Sequence, residues 1–245
     1  ELTWRSGDAG DAPPLAPGPT LRLCNDGAAA AIFVVEEARW ADDALRPAHL
    51  LGNHEFRDLF SEHFLGAGVQ LAVGEQVILF TDMVGSTRFY SERGDAEAFA
   101  QVRGHFAELS EEYAAAGGVL IKTIGDATMA AFAEPVAALR AAAAILRRFP
   151  AGRVDSAIRL RISVHRGPCI AVNLNSTIDF FGGTVNAAAK LQACAEAGQI
   201  AMSPAIVEAP GVRALLAAEG ARLCEVPFRS EAFAGSITVT RWDVN

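Results

Sequence analysis

Two aspartates carry the first chemical signal. Asp82 closes the apolar run Val77 to Phe80 in "VILFTDMVGSTRFY", and Asp126 occupies the turn of "KTIGDATMAAF". Carboxylates at strand ends supply hard oxygen ligands and leave coordination positions open for substrate phosphates, which suits Mg²⁺ or Mn²⁺. Two such ions can clamp the attacking and leaving oxygens of a phosphoryl transfer. Gly85, Ser86 and Thr87 stand directly behind Asp82. A glycine there lets main-chain NH groups approach a ligand, and a helix starting at Ser86 would aim its unpaired NH groups and positive dipole end at phosphates. Taken singly, each aspartate has a plainer reading, Asp82 as a turn initiator and Gly125-Asp126 as an ordinary hairpin dipeptide. Taken together they favour a bound cation beside a polyphosphate.

A second group is spread over "IKTIGD" and "TIDFFGGTVNAAAKL". Asn186 and Lys190 are four apart on a predicted helix and share a face. Alone, they read as an incidental amide and a solvated cation. Gly182-Gly183 before that helix is a weak phosphate signal, and Lys122 and Asp179 are commonplace as single residues. Other chemistries find little support: the five histidines form no H-E-x-x-H or Cys/His ligand spacing, and no G-x-S-x-G elbow is present. His165, in an alternating strand, reads as structural.

The elements that must position these groups follow from periodicity. The chain has 245 residues, 51% hydrophobic, enough for a substantial core. Residues 1–20 are polar and proline-rich and read as an extended lead-in. "LRLCND" and "AAAIFVVEEARW" read as a hairpin, and residues 41–64 take helical spacing. From about residue 72 the expected order is a strand at 76–81, helix through 86–116 broken near "RGD" with Asp95 as N-cap, and a hairpin at "GGVLIKT"/"ATMAAF". Helix follows at 136–149, then a hairpin of "IRLRISVHR" with "GPCIAV", and helix from about 184 to 196. The strand "QIAMS", further helix and two terminal strands complete the chain. Strand, helix, two strands, helix, strand is a ferredoxin-like βαββαβ core of the α/β (α+β) class, extended at its C-terminal end. That order puts the first and third strands side by side, so Asp82 and Asp126 would meet at one end of the sheet.

Composition narrows the partners. A formal charge of -8 without Lys/Arg clusters argues against gripping a nucleic acid polymer or anionic lipid. Arg140 interrupts the longest alanine-rich run, so no membrane contact is expected. Cys24, Cys169, Cys194 and Cys224 lie far apart, which suits reduced thiols and a cytoplasmic setting. The start at Glu1, without Met, suggests an excised piece of something longer.

The motifs "FTDMVGST", "KTIGDATMAAF" and "DFFGGTVNAAAK" together resemble the catalytic domain of class III adenylate and guanylate cyclases, over roughly residues 72–245. Residues 1–71 then look like part of an N-terminal domain and connector. The resemblance implies two Mg²⁺ or Mn²⁺ ions per site on Asp82 and Asp126, helped by the Met83 carbonyl, with the triphosphate on the main chain of Gly85, Ser86 and Thr87. It implies base selection by Lys122 and Asp179, ribose orientation by Asn186, and Lys190 where a transition-state arginine usually stands. It also implies a homodimer whose two sites each draw on both subunits. Lysine only donates and an ionised aspartate only accepts, which complements the N1 acceptor and N6 donor of adenine, so ATP is the expected substrate and cyclic AMP the product.

Lysine at 190 keeps the charge but loses the planar fork, so a slow enzyme is expected. Arg166 and Arg229 are weak candidates to compensate. A degenerate cyclase domain acting as a nucleotide-binding or dimerising regulatory module stays open beside the enzyme reading, as does a cyclase using another nucleoside triphosphate.

Overall fold

A computed structural model of the chain describes residues 2–5, 21–24, 50, 51, 56, 70–150, 158–174 and 177–244. The chain divides into two compact units, Glu1–Ala44 and Leu45–Asn245. In the first, β1 (Leu2–Arg5) pairs in parallel with β2 (Leu21–Cys24). The strand expected at "LRLCND" is therefore present, but its described partner comes from the segment read as a lead-in. The hairpin mate expected at "AAAIFVVEEARW" lies outside the described residues, as does most of the helical stretch 41–64.

The second unit runs β3 (Gln70–Met83), α1 (Ser86–Arg93), α2 (Asp95–Ala115), β4 (Val119–Ile124), β5 (Ala127–Phe132), α3 (Pro135–Arg148) and β6 (Leu160–Leu174). It continues through β7 (Thr177–Phe181), α4 (Gly183–Leu191), a 3-10 turn at Gln192–Cys194, β8 (Gln199–Met202), α5 (Pro204–Val207), α6 (Val212–Ala218), β9 (Arg222–Ser230) and β10 (Gly235–Asp243). One sheet orders these strands β4-β5-β3-β6-β8-β10-β9, with β7 added to β6. The expected ferredoxin-like core is present: β3 lies between β5 and β6, antiparallel to both.

Burial explains the layering. On one face Val77, Leu79, Ile162 and Val164 pack with Leu109, Leu139, Ile145 and Leu146 of α2 and α3. On the other, Ile78, Phe80, Met129 and Ala131 pack with Phe180 and Ala188. The alternation along β3 thus serves two cores, which is why its centre is continuously apolar. Helix α3 begins with Pro135 in its first turn and ends on Arg147 and Arg148, in keeping with helix-start geometry and the dipole. Arg148 reaches back to Glu108 (2.7 Å) and Glu112 (2.9 Å) on α2.

Two local expectations are corrected. The expected hairpin of "IRLRISVHR" with "GPCIAV" is instead one 15-residue strand, "LRISVHRGPCIAVNL"; its hairpin mate is β7, with Val172 opposite Asp179. Gly167-Pro168 does not turn the chain. A β-carbon at Gly167 would come within 2.6 Å of Thr184 Oγ1, and that hydroxyl donates to the Pro168 carbonyl at 2.7 Å, so the dipeptide seats the start of α4. Asp95 is the first residue of α2 rather than its cap. Gly94, at φ 79°, makes the break between α1 and α2, and Asp95 and Glu97 place negative charge in the first turn.

Candidate active site

Asp82 lies one residue before the end of β3. The β3/β5 register runs to Thr81 opposite Thr128, and one further step sets Asp82 across from Ala127, next to Asp126 in the β4/β5 turn. A buried hydroxyl chain fixes this junction: Thr81 Oγ1 and Thr128 Oγ1 are 2.7 Å apart, and Tyr113 OH meets Thr128 Oγ1 at 2.6 Å. Burial pushes the Tyr113 phenol up to about 12, so it stays a neutral hydrogen-bonding partner. Met83 follows with its side chain buried. Gly85 then adopts a left-handed conformation (φ 80°, ψ 28°) and leads into α1, whose first turn has no acidic residue and no side-chain cap. That turn offers free NH groups to an anion.

The neighbouring strand and the residue just before it add two arginines that sequence reasoning missed. Arg161 is the register partner of Asp82, and its Nε and Nη2 both donate to Asp82 Oδ2, at 2.7 and 2.5 Å. Arg159 sits over the glycine turn: a β-carbon at Gly85 would lie 3.4 Å from its Nη2, and its carbonyl accepts from the Val84 NH at 2.8 Å. The signal was present in "IRLRISV", where alternate arginines enter the strand that borders β3. Arg166, the arginine singled out instead, is opposite Val77, five residues from Asp82, and is paired with Glu75 at 2.6 Å.

These residues suit a divalent cation. Asp126 Oδ2 is buried and accepts no hydrogen bond among the described residues, a costly state for a carboxylate oxygen unless a cation completes it. Among those residues no cluster of three or more His, Cys, Asp or Glu side chains gathers. A cation held here would draw on Asp82, Asp126 and main-chain oxygens, with its other positions left to water and phosphate, a pattern common for Mg²⁺.

The second group is brought together across the fold. Lys122 of β4 and Asp179 of β7, 57 residues apart in sequence, meet with Nζ 2.7 Å from Oδ2. Asp179 is buried, and its Oδ1 accepts from the Phe180 NH at 2.8 Å. Lys122 Nζ also stands 5.2 Å from the centre of the Phe181 ring, which is 40% exposed. Asn186 and Lys190 are exposed on α4, and no side-chain hydrogen bond or ion pair engages either among the described residues. None joins them, or the Lys122–Asp179 pair, to the Asp82 group within the chain. Arg229 is exposed on β9, four strands away from β3. His165 Nδ1 meets Ser203 Oγ at 2.7 Å beside Phe233, the structural role expected of it. All four cysteines are free thiols. No described helix is long and apolar enough to cross a membrane.

A ferredoxin-like sheet with a carboxylate pair at one end and an anion-receiving turn beside it matches a nucleotide cyclase catalytic domain. The family described as the adenylate and guanylate cyclase catalytic domain matches residues 71–211, more than half of the chain, and the chain belongs to it. It is 31% identical over 147 residues to a pH-sensitive adenylate cyclase of Mycobacterium tuberculosis, covering 59% of this chain and 35% of that protein. It is 28% identical over 165 residues to adenylate cyclase 2 of Rhizobium meliloti, covering 60% of this chain and 44% of the relative. The chain thus spans less than half the length of these curated relatives. Among solved structures it resembles the catalytic core of a rhodopsin-guanylyl cyclase with converted specificity in complex with ATPαS, with a TM-score of 0.61 at 19% identity over 73% of this chain and 100% of that one. The adenylyl cyclase CyaB from P. aeruginosa gives a TM-score of 0.57 at 20% identity over 71% and 95%. At these identities the structural likeness speaks for the fold.

Proposed function

We propose that residues 72–245 form an adenylate cyclase domain that converts ATP to 3′,5′-cyclic AMP and pyrophosphate, working as a cytoplasmic homodimer with shared sites. Residues 1–71 would be part of an upstream domain and its connector. The observation that carries the choice of ATP is the Lys122–Asp179 contact at 2.7 Å. Lys122 has further NH donors to offer the N1 acceptor of adenine, and Asp179 Oδ2 has a second lone pair for the N6 amino group. The base can therefore dock across the pair without breaking it. Guanine presents a donor to the lysine and an acceptor to the aspartate, leaving polar groups unmatched at about 1 to 3 kcal/mol each.

At the other group, the first-turn NH groups of α1 and the Arg159 guanidinium receive the triphosphate. Asp82 and Asp126, with the Met83 carbonyl, hold the Mg²⁺ or Mn²⁺ ions, two per site. Bound ions supply Lewis-acid polarisation of the phosphate and a lowered proton affinity at the 3′ hydroxyl. Asn186 orients the ribose and Lys190 places a positive charge near the α-phosphate, both contributed by the second subunit. Ring closure then rests on positioning the 3′ oxygen in line with the departing pyrophosphate. The exposed apolar side chains Ile124, Leu174 and Phe181, on the hairpins that carry Lys122 and Asp179, support a contact with a second copy there.

Incubating the purified protein with each nucleoside triphosphate and Mn²⁺, and resolving the products by mass, tests this reading. Cyclic AMP from ATP in excess of any other cyclic product is expected. Asp82→Asn and Asp126→Asn should each lower turnover by at least about 10²-fold with the fold intact. No cyclic product from any triphosphate would leave the regulatory-module alternative, which the engagement of Asp82 by Arg161 favours.

A further inference from the structure

Three hydroxyls lie beneath the strand end that carries the carboxylates. Thr81, Thr128 and Tyr113 are each fully buried, with Thr81 Oγ1 2.7 Å from Thr128 Oγ1 and Tyr113 OH 2.6 Å from Thr128 Oγ1. Valine and phenylalanine would fill much the same space without placing polar atoms in an apolar layer, so packing alone does not call for hydroxyls here. Their position does. Thr81 opposite Thr128 is the last rung of the β3/β5 ladder, one residue before Asp82 and two after Asp126. We propose that Tyr113, Thr128 and Thr81 are positioning residues whose linked hydroxyls fix the spacing of the Asp82 and Asp126 carboxylates, so that the site is set for Mg²⁺ before the ion arrives. This rests on the two-carboxylate reading of the site given above.

Alternation along β3 keeps these hydroxyls out of the pocket. Thr81 shares the helix-covered face with Val77 and Leu79, and Asp82 turns to the opposite face. The three residues therefore act through the backbone and touch no ligand. Tyr113 is held in its turn: its ring meets Phe132 edge-on at 6.1 Å, and its carbonyl accepts from the Gly118 NH at 2.8 Å, one residue before β4 begins. From there β4 leads into the turn bearing Asp126, so one tyrosine braces both carboxylate-bearing segments. The β3/β5 pairing stops at Thr81 and Thr128, which leaves the separation of the two segments to that rung. Hydrogen bonds are directional, so the rung resists a slide or twist that apolar contact would absorb. Mg²⁺ demands near-ideal octahedral oxygens at about 2.0–2.1 Å, whereas Ca²⁺ accepts irregular shells at about 2.3–2.6 Å, so a slack junction should penalise Mg²⁺ more.

The test measures by calorimetry the affinity of 3′-deoxy-ATP, which lacks the attacking hydroxyl, in chelator, in Mg²⁺ and in Ca²⁺. The gain from each ion is the affinity in its presence divided by that in chelator. Thr128→Val removes both hydroxyl contacts and should cut the Mg²⁺ gain at least about tenfold and the Ca²⁺ gain by less than about threefold, with binding in chelator unchanged. Tyr113→Phe and Thr81→Val each remove one contact and should show the same pattern with smaller factors, and they carry the test if Thr128→Val does not fold. Thr128→Ser keeps the hydroxyl and should hold both gains near those of the unaltered protein. A purely structural role would lower the number of sites per chain rather than the gain at each site, and would not separate Mg²⁺ from Ca²⁺. An unaltered Mg²⁺ gain in the folded variants, equal losses for both ions, or a serine variant as impaired as the valine one overturns the proposal. If the unaltered protein cyclises ATP and shows the Mg²⁺ gain while its variants fail this test, the positioning role alone is lost. Unaltered protein that binds 3′-deoxy-ATP no better with Mg²⁺ than in chelator sinks the two-carboxylate reading, and the proposal with it.

Discussion

At the scale of single residues, function turns on which groups share a strand end and which share a helix face. Lys190 is exposed on α4, four residues after Asn186, and in the proposed site it would present a point charge where a planar fork could hold two phosphate oxygens. Lys190→Arg is expected to raise kcat by about tenfold with little change in KM, read from initial rates of cyclic AMP formation; a fall would mean the pocket is fitted to lysine. Asp82, Asp126 and the glycine turn were legible because a carboxylate ending an apolar run departs from the pattern around it. Arg161 was not, because an arginine in an alternating strand looks like any solvated position. Only the strand order, which sets β6 beside β3, reveals what it faces.

At the scale of elements, buried polar groups tie the helical layer to the sheet. Tyr113 on α2 ends the hydroxyl chain that passes through Thr128 to Thr81, the residue before Asp82. Tyr113→Phe should cost about 1 to 2 kcal/mol in chemical denaturation, since it removes a hydroxyl from a buried chain. His105, also on α2, is buried against Phe149 with neither ring nitrogen hydrogen-bonded among the described residues, and burial lowers it to about 4. The unfolded chain takes up that proton near the ordinary histidine value of about 6.5 and the folded chain only near 4. The stabilising contribution is therefore whole above pH 6.5 and is lost as pH falls toward 4, by at most about 3 kcal/mol. His105→Leu should flatten the fall in stability over that window, measured by urea midpoints at a series of pH values. The strand, helix and hairpin order was readable from periodicity. The continuity of β6 was not, because Gly167-Pro168 spells a turn and only the packing of Thr184 against it makes it a flat seat.

At the scale of the whole molecule, the two groups of the candidate site lie on one chain with no hydrogen bond or ion pair joining them among the described residues. If each site is completed by a second copy, mixing Asp82→Asn protein with Lys122→Ala protein should restore cyclic AMP synthesis to about a quarter of the unaltered rate, because half the dimers are mixed and each has one whole site. No recovery would argue for a site complete within one chain. The main strand path ends at β4 and β9, and β7, paired only with β6 among the described residues, adds a further edge. On β9, Pro227 lacks an NH, and Arg222, Glu225 and Arg229 are exposed, so that margin is blunted against strand addition. In the proposed homodimer, self-recognition would be steered away from that margin, toward the flank where Ile124 is exposed beside Lys122. Adhesion and base choice would then occupy the same few side chains, so a drift in one could not occur without touching the other, and dilution that separates copies would also silence synthesis.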